Sequence, residues 1–163
     1  MAIEGKMLAE KFNKKGYAIF DYTIYTLLGD GCNMEGLSYE SASLAGHLGL
    51  DNLIAIYDSN NISIDGSTNI TFTENVAKRY EALGWEVDFC DATGSVESFF
   101  EKIDNLKKIE GKPKILITKT IIGNGLNKKK NTNKIHGSAA GIDEIVYFIQ
   151  NSEIKNIFEK KYG

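Results

Sequence analysis

The chain reads as an α/β protein built on a mostly parallel β-sheet with helices on both faces. Strand-length apolar runs alternate with segments of helical spacing along the 163 residues. The runs are rich in β-branched and aromatic residues and near-continuously apolar, as strands buried on both faces must be. Two of them end in polar turns, Gly29-Asp30-Gly31 and Asp58-Ser59-Asn60, where ligands of such sheets sit.

From Met1 to Phe12, the residues Ile3, Met7, Leu8 and Phe12 share one helical face, and Gly16 is a stop signal. A helix that opens the chain without a preceding cap suggests a piece of something longer. Tyr22 to Leu28 is a strand reaching the Gly-Asp-Gly turn, and Leu53 to Tyr57 is a second strand reaching the Asp-Ser-Asn turn. Between them a helix beginning near Met34 and running to Leu48 stops at Gly49. A helix from about Glu74 to Leu83 leads through Gly84 to a strand at Trp85–Phe89. Val96 to Ile109 has helical spacing, Lys112-Pro113 breaks it, and Lys114–Thr120 is the fourth strand of the series. A polar loop that includes 126–134 follows, and Ile142 to Phe158 forms a last amphipathic helix.

Composition narrows the function classes. With 42% hydrophobic and 25% charged residues the chain can bury one core, so a single domain over 1–163 is expected. A net charge of −3 gives no electrostatic reason for a nucleic-acid or anionic-membrane partner. No run of eighteen apolar residues occurs. Cys32 and Cys90 lack CxxC spacing and follow no signal peptide, which points to reduced thiols in the cytoplasm. Lys128-Lys129-Lys130 is read as a solvated loop, and His47 as a structural residue near a helix end.

The two polar turns outline a socket for a magnesium diphosphate. A hard cation takes oxygen ligands in a near-octahedral shell, several of them from phosphate and water. Asp30 and Asn60 can supply two oxygens, and a backbone carbonyl beyond Asn60 a third. Glycines at 29 and 31 allow a sharp turn and a close approach of phosphate to backbone, with the amides of the following helix pointing at the anion. A calcium loop from Asp58 fails, because its sixth position is Ser63 and its twelfth Asn69.

Taken together, the segments Gly29-Asp30-Gly31-Cys32-Asn33-Met34-Glu35-Gly36, Ser43-Leu44-Ala45-Gly46 and Asp58-Ser59-Asn60-Asn61-Ile62-Ser63-Ile64-Asp65-Gly66 closely resemble transketolases. Arg79-Tyr80-Glu81-Ala82-Leu83-Gly84-Trp85, Lys119-Thr120-Ile121-Ile122-Gly123-Asn124-Gly125 and His136-Gly137 continue the resemblance over essentially the whole chain. It implies a thiamine-diphosphate-binding fold, with this chain forming most of the diphosphate-holding domain and the aminopyrimidine-binding and C-terminal domains absent.

By motif match, the magnesium ligands would be Asp30, Asn60 and the carbonyl of Ile62, with Ca2+ or Mn2+ able to substitute. The amide of Gly31 would contact the diphosphate, Ile122 would pack on the cofactor, and His136 would line the cofactor and ketose site. Glu35 and Glu40 match acidic residues that the family places at the subunit boundary, in a network joining the two active sites. The implied activity moves a two-carbon ketol unit from a ketose phosphate to an aldose phosphate, as in the pentose phosphate pathway. Its implied partners are sugar phosphates and complementary transketolase domains or subunits in a homo-oligomer, with the isolated chain inactive. The sequence departs from the family at Ser138-Ala139-Ala140-Gly141, where Ala-Pro-Leu-Gly is usual. Deoxyxylulose-phosphate synthase, the E1 components of 2-oxo acid dehydrogenases and a non-catalytic assembly remnant remain as alternatives.

Overall fold

A computed structural model describes residues 1–94 and 96–153. The chain divides into two compact units, one made of Met1–Ser59 with Glu74–Lys119, the other of Asn60–Thr73 with the chain from Thr120 onward.

The first, a sheet unit, opens with α1 (Ala2–Phe12), followed by β1 (Ile24–Gly29), the short α2 (Asp30–Met34), α3 (Gly36–His47) and β2 (Leu53–Ser59). In the second, a loop unit, a small hairpin pairs β3 (Ile62–Ser63) with β4 (Gly66–Ser67) and leads into a 3-10 turn at Thr68–Ile70. The sheet unit resumes with α4 (Val76–Ala82), β5 (Glu86–Asp91), α5 (Glu97–Lys107) and β6 (Lys114–Lys119). The loop unit closes with a 3-10 turn at Asn133–Ile135 and α6 (Ile142–Asn151).

The four long strands are all parallel, in the order β1-β2-β6-β5. Register aligns Gly29, Asp58, Thr118 and Cys90 in one row near the carboxyl ends. Parallel crossovers are right-handed, so a step from β1 to β2 and the opposite step from β5 to β6 place their helices on opposite faces. Side-chain alternation agrees with this. Ile54, Cys90 and Leu116 form one buried cluster with Ile103 and Leu106 of α5. Their chain neighbours Ala55 and Ile115, also buried, point to the other face. There α3 and α4 meet closely: a Cβ at Gly46 would lie 1.7 Å from the carbonyl oxygen of Leu83, so only glycine fits. The indole of Trp85 donates to the Ala42 carbonyl at 2.8 Å and meets the Tyr80 ring edge-on.

Three expectations are corrected. The helix after β1 begins at Asp30 rather than near Met34, and it breaks at Glu35, whose extended backbone caps α3. The apolar stripe of α1 is not its packed face. Ile3, Met7 and Phe12 are exposed, whereas Ala2 and Gly5 are buried. Gly5 lies so close to the Tyr22 ring and the Asn52 amide that proximity, rather than side-chain bulk, selects the contact face. The polar stretch after β6 contains a 3-10 turn, and α6 ends at Asn151; residues 154–158 of the expected helix lie outside the described residues. Among the described residues no helix is long and apolar enough to cross a membrane.

Candidate functional site

In the sheet unit, β1 delivers the chain to Gly29, and Asp30 starts α2 beside the end of β2. Asp30 is 3% exposed, and the Tyr57 hydroxyl donates to its Oδ1 at 2.6 Å. Burial, and next the Asp30 hydrogen bond, push the Tyr57 phenol far up, so it remains a protonated donor. The turn does not need glycine for its backbone, contrary to the sequence expectation. Gly29 has φ −105°, and Gly31 is absent from the residues of positive φ. A Cβ at either would meet no protein atom within 4 Å. Nothing in the chain's own packing therefore excludes a side chain at these positions, while the bare backbone leaves room for a ligand to approach.

Asn33, 1% exposed, joins α2 to α4. Arg79 donates from Nη1 to the Asn33 carbonyl and from Nη2 to its Oδ1, both at 3.0 Å, and the Tyr80 hydroxyl reaches the same Oδ1 at 3.1 Å. Glu74 pairs with Arg79 Nε at 2.9 Å. Gly31 and Glu35 are exposed, as is Glu40 on α3. Because Glu35 precedes the helix, the five-residue spacing to Glu40 is not a helical one.

In the loop unit, Asn60 Oδ1 accepts from the Ile62 amide at 3.0 Å, folding the chain back into the hairpin through Asn61 at φ 61°. The Ile122 carbonyl accepts from Asn131 N at 2.8 Å, and His136 N donates to Asn133 O at 3.0 Å. His136 is exposed and follows the Asn133–Ile135 turn. Asn133 Nδ2 also donates to the Ile64 carbonyl at 3.2 Å, tying this stretch to the hairpin. One carboxylate organises the loop between Ile122 and α6: Glu144, 7% exposed, accepts from the amides of Asn127, Lys128 and Lys129 at 2.6, 3.0 and 3.2 Å. The lysine run is thus an ordered turn. Lys129 Nζ also donates to Ala139 O at 3.1 Å.

Asp30, Gly31 and Glu35 accordingly share the sheet unit, and Asn60, Ile62, Ile122 and His136 share the loop unit. The chain connects the two sets directly, since Asn60 follows Ser59 at the end of β2. Sequence reading missed Tyr57, Asn33, Arg79, Tyr80 and Glu144. Tyr57, Asn33, Tyr80 and Glu144 are buried and Arg79 is half-buried, and that enclosure, not their sequence pattern, marks them.

A family model described as "Transketolase, thiamine diphosphate binding domain" matches residues 1–156. The chain belongs to this family. It is 49% identical to a transketolase of Nostoc over 93% of its own length and 23% of the relative's. Transketolase 7 of Craterostigma plantagineum is 43% identical over 88% of the chain and 21% of the relative. The transketolase structure from Leishmania mexicana superposes with TM-score 0.88 at 43% identity, covering 91% of this chain and 22% of the other. The Campylobacter jejuni transketolase gives 0.82 at 40% identity, covering 91% and 23%. The chain thus spans less than a quarter of the length of these transketolases, and the parallel α/β fold expected from sequence is the transketolase family's.

Proposed function

We propose that this chain is most of the diphosphate-holding domain of a transketolase, both units belonging to that one domain. Asp30, Asn60 and the Ile62 carbonyl would ligate Mg2+, with Ca2+ or Mn2+ as substitutes, and the Gly31 amide would contact the diphosphate. Ile122 would pack against the cofactor. His136, exposed on its loop, would face cofactor and ketose and stabilise charge that develops there. Thiamine diphosphate supplies the electron sink for carbon-carbon cleavage; the protein binds and orients it.

The observation that carries this reading is the open backbone at Gly29 and Gly31 beside the buried Asp30, within a chain of the thiamine diphosphate-binding family. The donor chemistry fits. Among the described residues no group of three His, Cys, Asp or Glu side chains could hold a metal. A shell of one carboxylate and neutral oxygens, completed by diphosphate and water, suits Mg2+ better than a transition metal.

The complete protein would move a two-carbon ketol unit from a ketose phosphate to an aldose phosphate, as a cytoplasmic homo-oligomer of the pentose phosphate pathway. Support for assembly comes from α3 and its C-terminal cap, where Leu37, Leu44 and the capping Leu48 recur at helical spacing and are 74%, 50% and 46% exposed beside Glu40. Glu35 would lie at that subunit boundary and join the network between active sites.

The test is complementation. The purified chain, given Mg2+, thiamine diphosphate, xylulose 5-phosphate and ribose 5-phosphate, is expected to show no turnover alone and to turn over once the remaining transketolase segments are supplied. Turnover by the chain alone, in material free of host transketolase, refutes the reading that other transketolase segments must complete the site. No thiamine diphosphate binding after complementation refutes the cofactor assignment.

A further inference from the structure

We propose that Asn33 is a positioning residue for Asp30, with Arg79 and Tyr80 as its supports; this rests on the reading of Asp30 as a metal ligand. The helix that carries Asp30 has only five residues. So short a helix has no cooperative stability of its own, and most of its terminal backbone groups lack intrahelical partners. Its orientation must be set from outside. Asp30 and Asn33, three residues apart, share one face and are both buried, whereas Gly31 and Cys32 between them are exposed.

Tyr57 holds the first of these residues and Arg79 with Tyr80 the second. The Arg79 fork spans the carbonyl and the side-chain oxygen of Asn33, fixing backbone and side chain together. Guanidinium only donates, which assigns the amide oxygen to that side, where it accepts from Tyr80 as well. Asn33 Nδ2 in turn faces the Gly29 carbonyl at 3.4 Å. A rotation of α2 about its axis would break these contacts and swing the Asp30 carboxylate. Mg2+ tolerates little displacement of a ligand.

The test uses the holoprotein with thiamine diphosphate saturating and Mn2+ as the metal probe, read by electron paramagnetic resonance without sugar substrate. Asn33→Leu should weaken Mn2+ about 10- to 100-fold, the usual cost of losing a group that orients a ligand. Arg79→Lys, which keeps the charge and loses the fork, should act in the same direction. Amide exchange should quicken at 30–34 and stay unchanged at 54–57 in both variants. Unchanged Mn2+ affinity in both, with Asp30→Ala still losing the metal, overturns the proposal and leaves the function standing. Equal acceleration at 54–57 overturns it too, by making Asn33 a general packing residue. If Asp30→Ala keeps full affinity, the metal reading fails and this inference with it.

Discussion

The α2 turn of the sheet unit and the 122–141 stretch of the loop unit both carry candidate site residues, yet they are organised by opposite means. The α2 turn is held by side chains from regular elements: Tyr57 from β2, Arg79 and Tyr80 from α4. Parallel pairing of β1 with β2 fixes where those strands end, so Tyr57 arrives at a set register beside the turn. The 122–141 stretch has no sheet to pin it. Its backbone amides find acceptors individually, three of them on Glu144. An irregular segment needs dedicated acceptors for its buried donors, whereas a turn between strand and helix inherits its position.

The largest effect tests the α2 turn. Asp30→Ala in the complete protein should lower magnesium-dependent thiamine diphosphate affinity on the order of 100-fold, because a charged ligand leaves the shell. Circular dichroism should show the fold retained. Unchanged affinity at limiting Mg2+ would remove the α2 turn from the site.

His136→Ala probes the contrasting stretch. Turnover should drop about 10- to 100-fold while cofactor affinity shifts less than about threefold, the pattern of an interaction made mainly in the transition state. Steady-state kinetics with xylulose 5-phosphate would show it; equal losses in both quantities would make His136 a cofactor-binding residue instead.

Glu144→Gln sharpens the contrast itself. An amide cannot present two acceptor oxygens to three backbone donors, so part of the clamp is left unpaired at about 1–3 kcal/mol. Amides 127–129 should exchange faster while those of β2 keep their protection. If 127–129 stay protected, the loop is held by its other bonds, such as Asn131 to Ile122.

The smallest effect lies at the amino end of the sheet. Burial would raise the Asp51 pKa, but hydrogen bonds from Lys6 and the Gly111 amide lower it below 3.8 overall. A depressed folded value means the group stabilises above the unfolded pKa and loses that contribution as pH falls through the folded one. Asp51→Asn should therefore flatten the acid limb of a stability-pH curve below pH 3.8 and leave Mg2+ affinity unchanged. A change in metal affinity would mean that the two ends of the sheet are coupled.

Alternation of apolar runs and helical segments determined the parallel α/β class, although only the central strands β2 and β6 are largely buried on both faces, while Tyr25 and Leu27 of the edge strand β1 are exposed. The motif segments determined the family. Helix α5 was legible almost to its ends, since its apolar spacing matches the face that packs on Ile54 and Leu116. Periodicity misled at α1, where close approach at Gly5 overrides the pull of Ile3 and Met7. What only tertiary structure decided is which polar residues are buried. Nothing in the linear pattern marks Lys114, Asn33 or Glu144 as buried, and each is buried with a partner distant in sequence that satisfies it: the Asp51 carbonyl for Lys114, Arg79 for Asn33, the 127–129 amides for Glu144. Burying a polar group is tolerable only once that partner is in place, and the pairing exists only after the chain has folded.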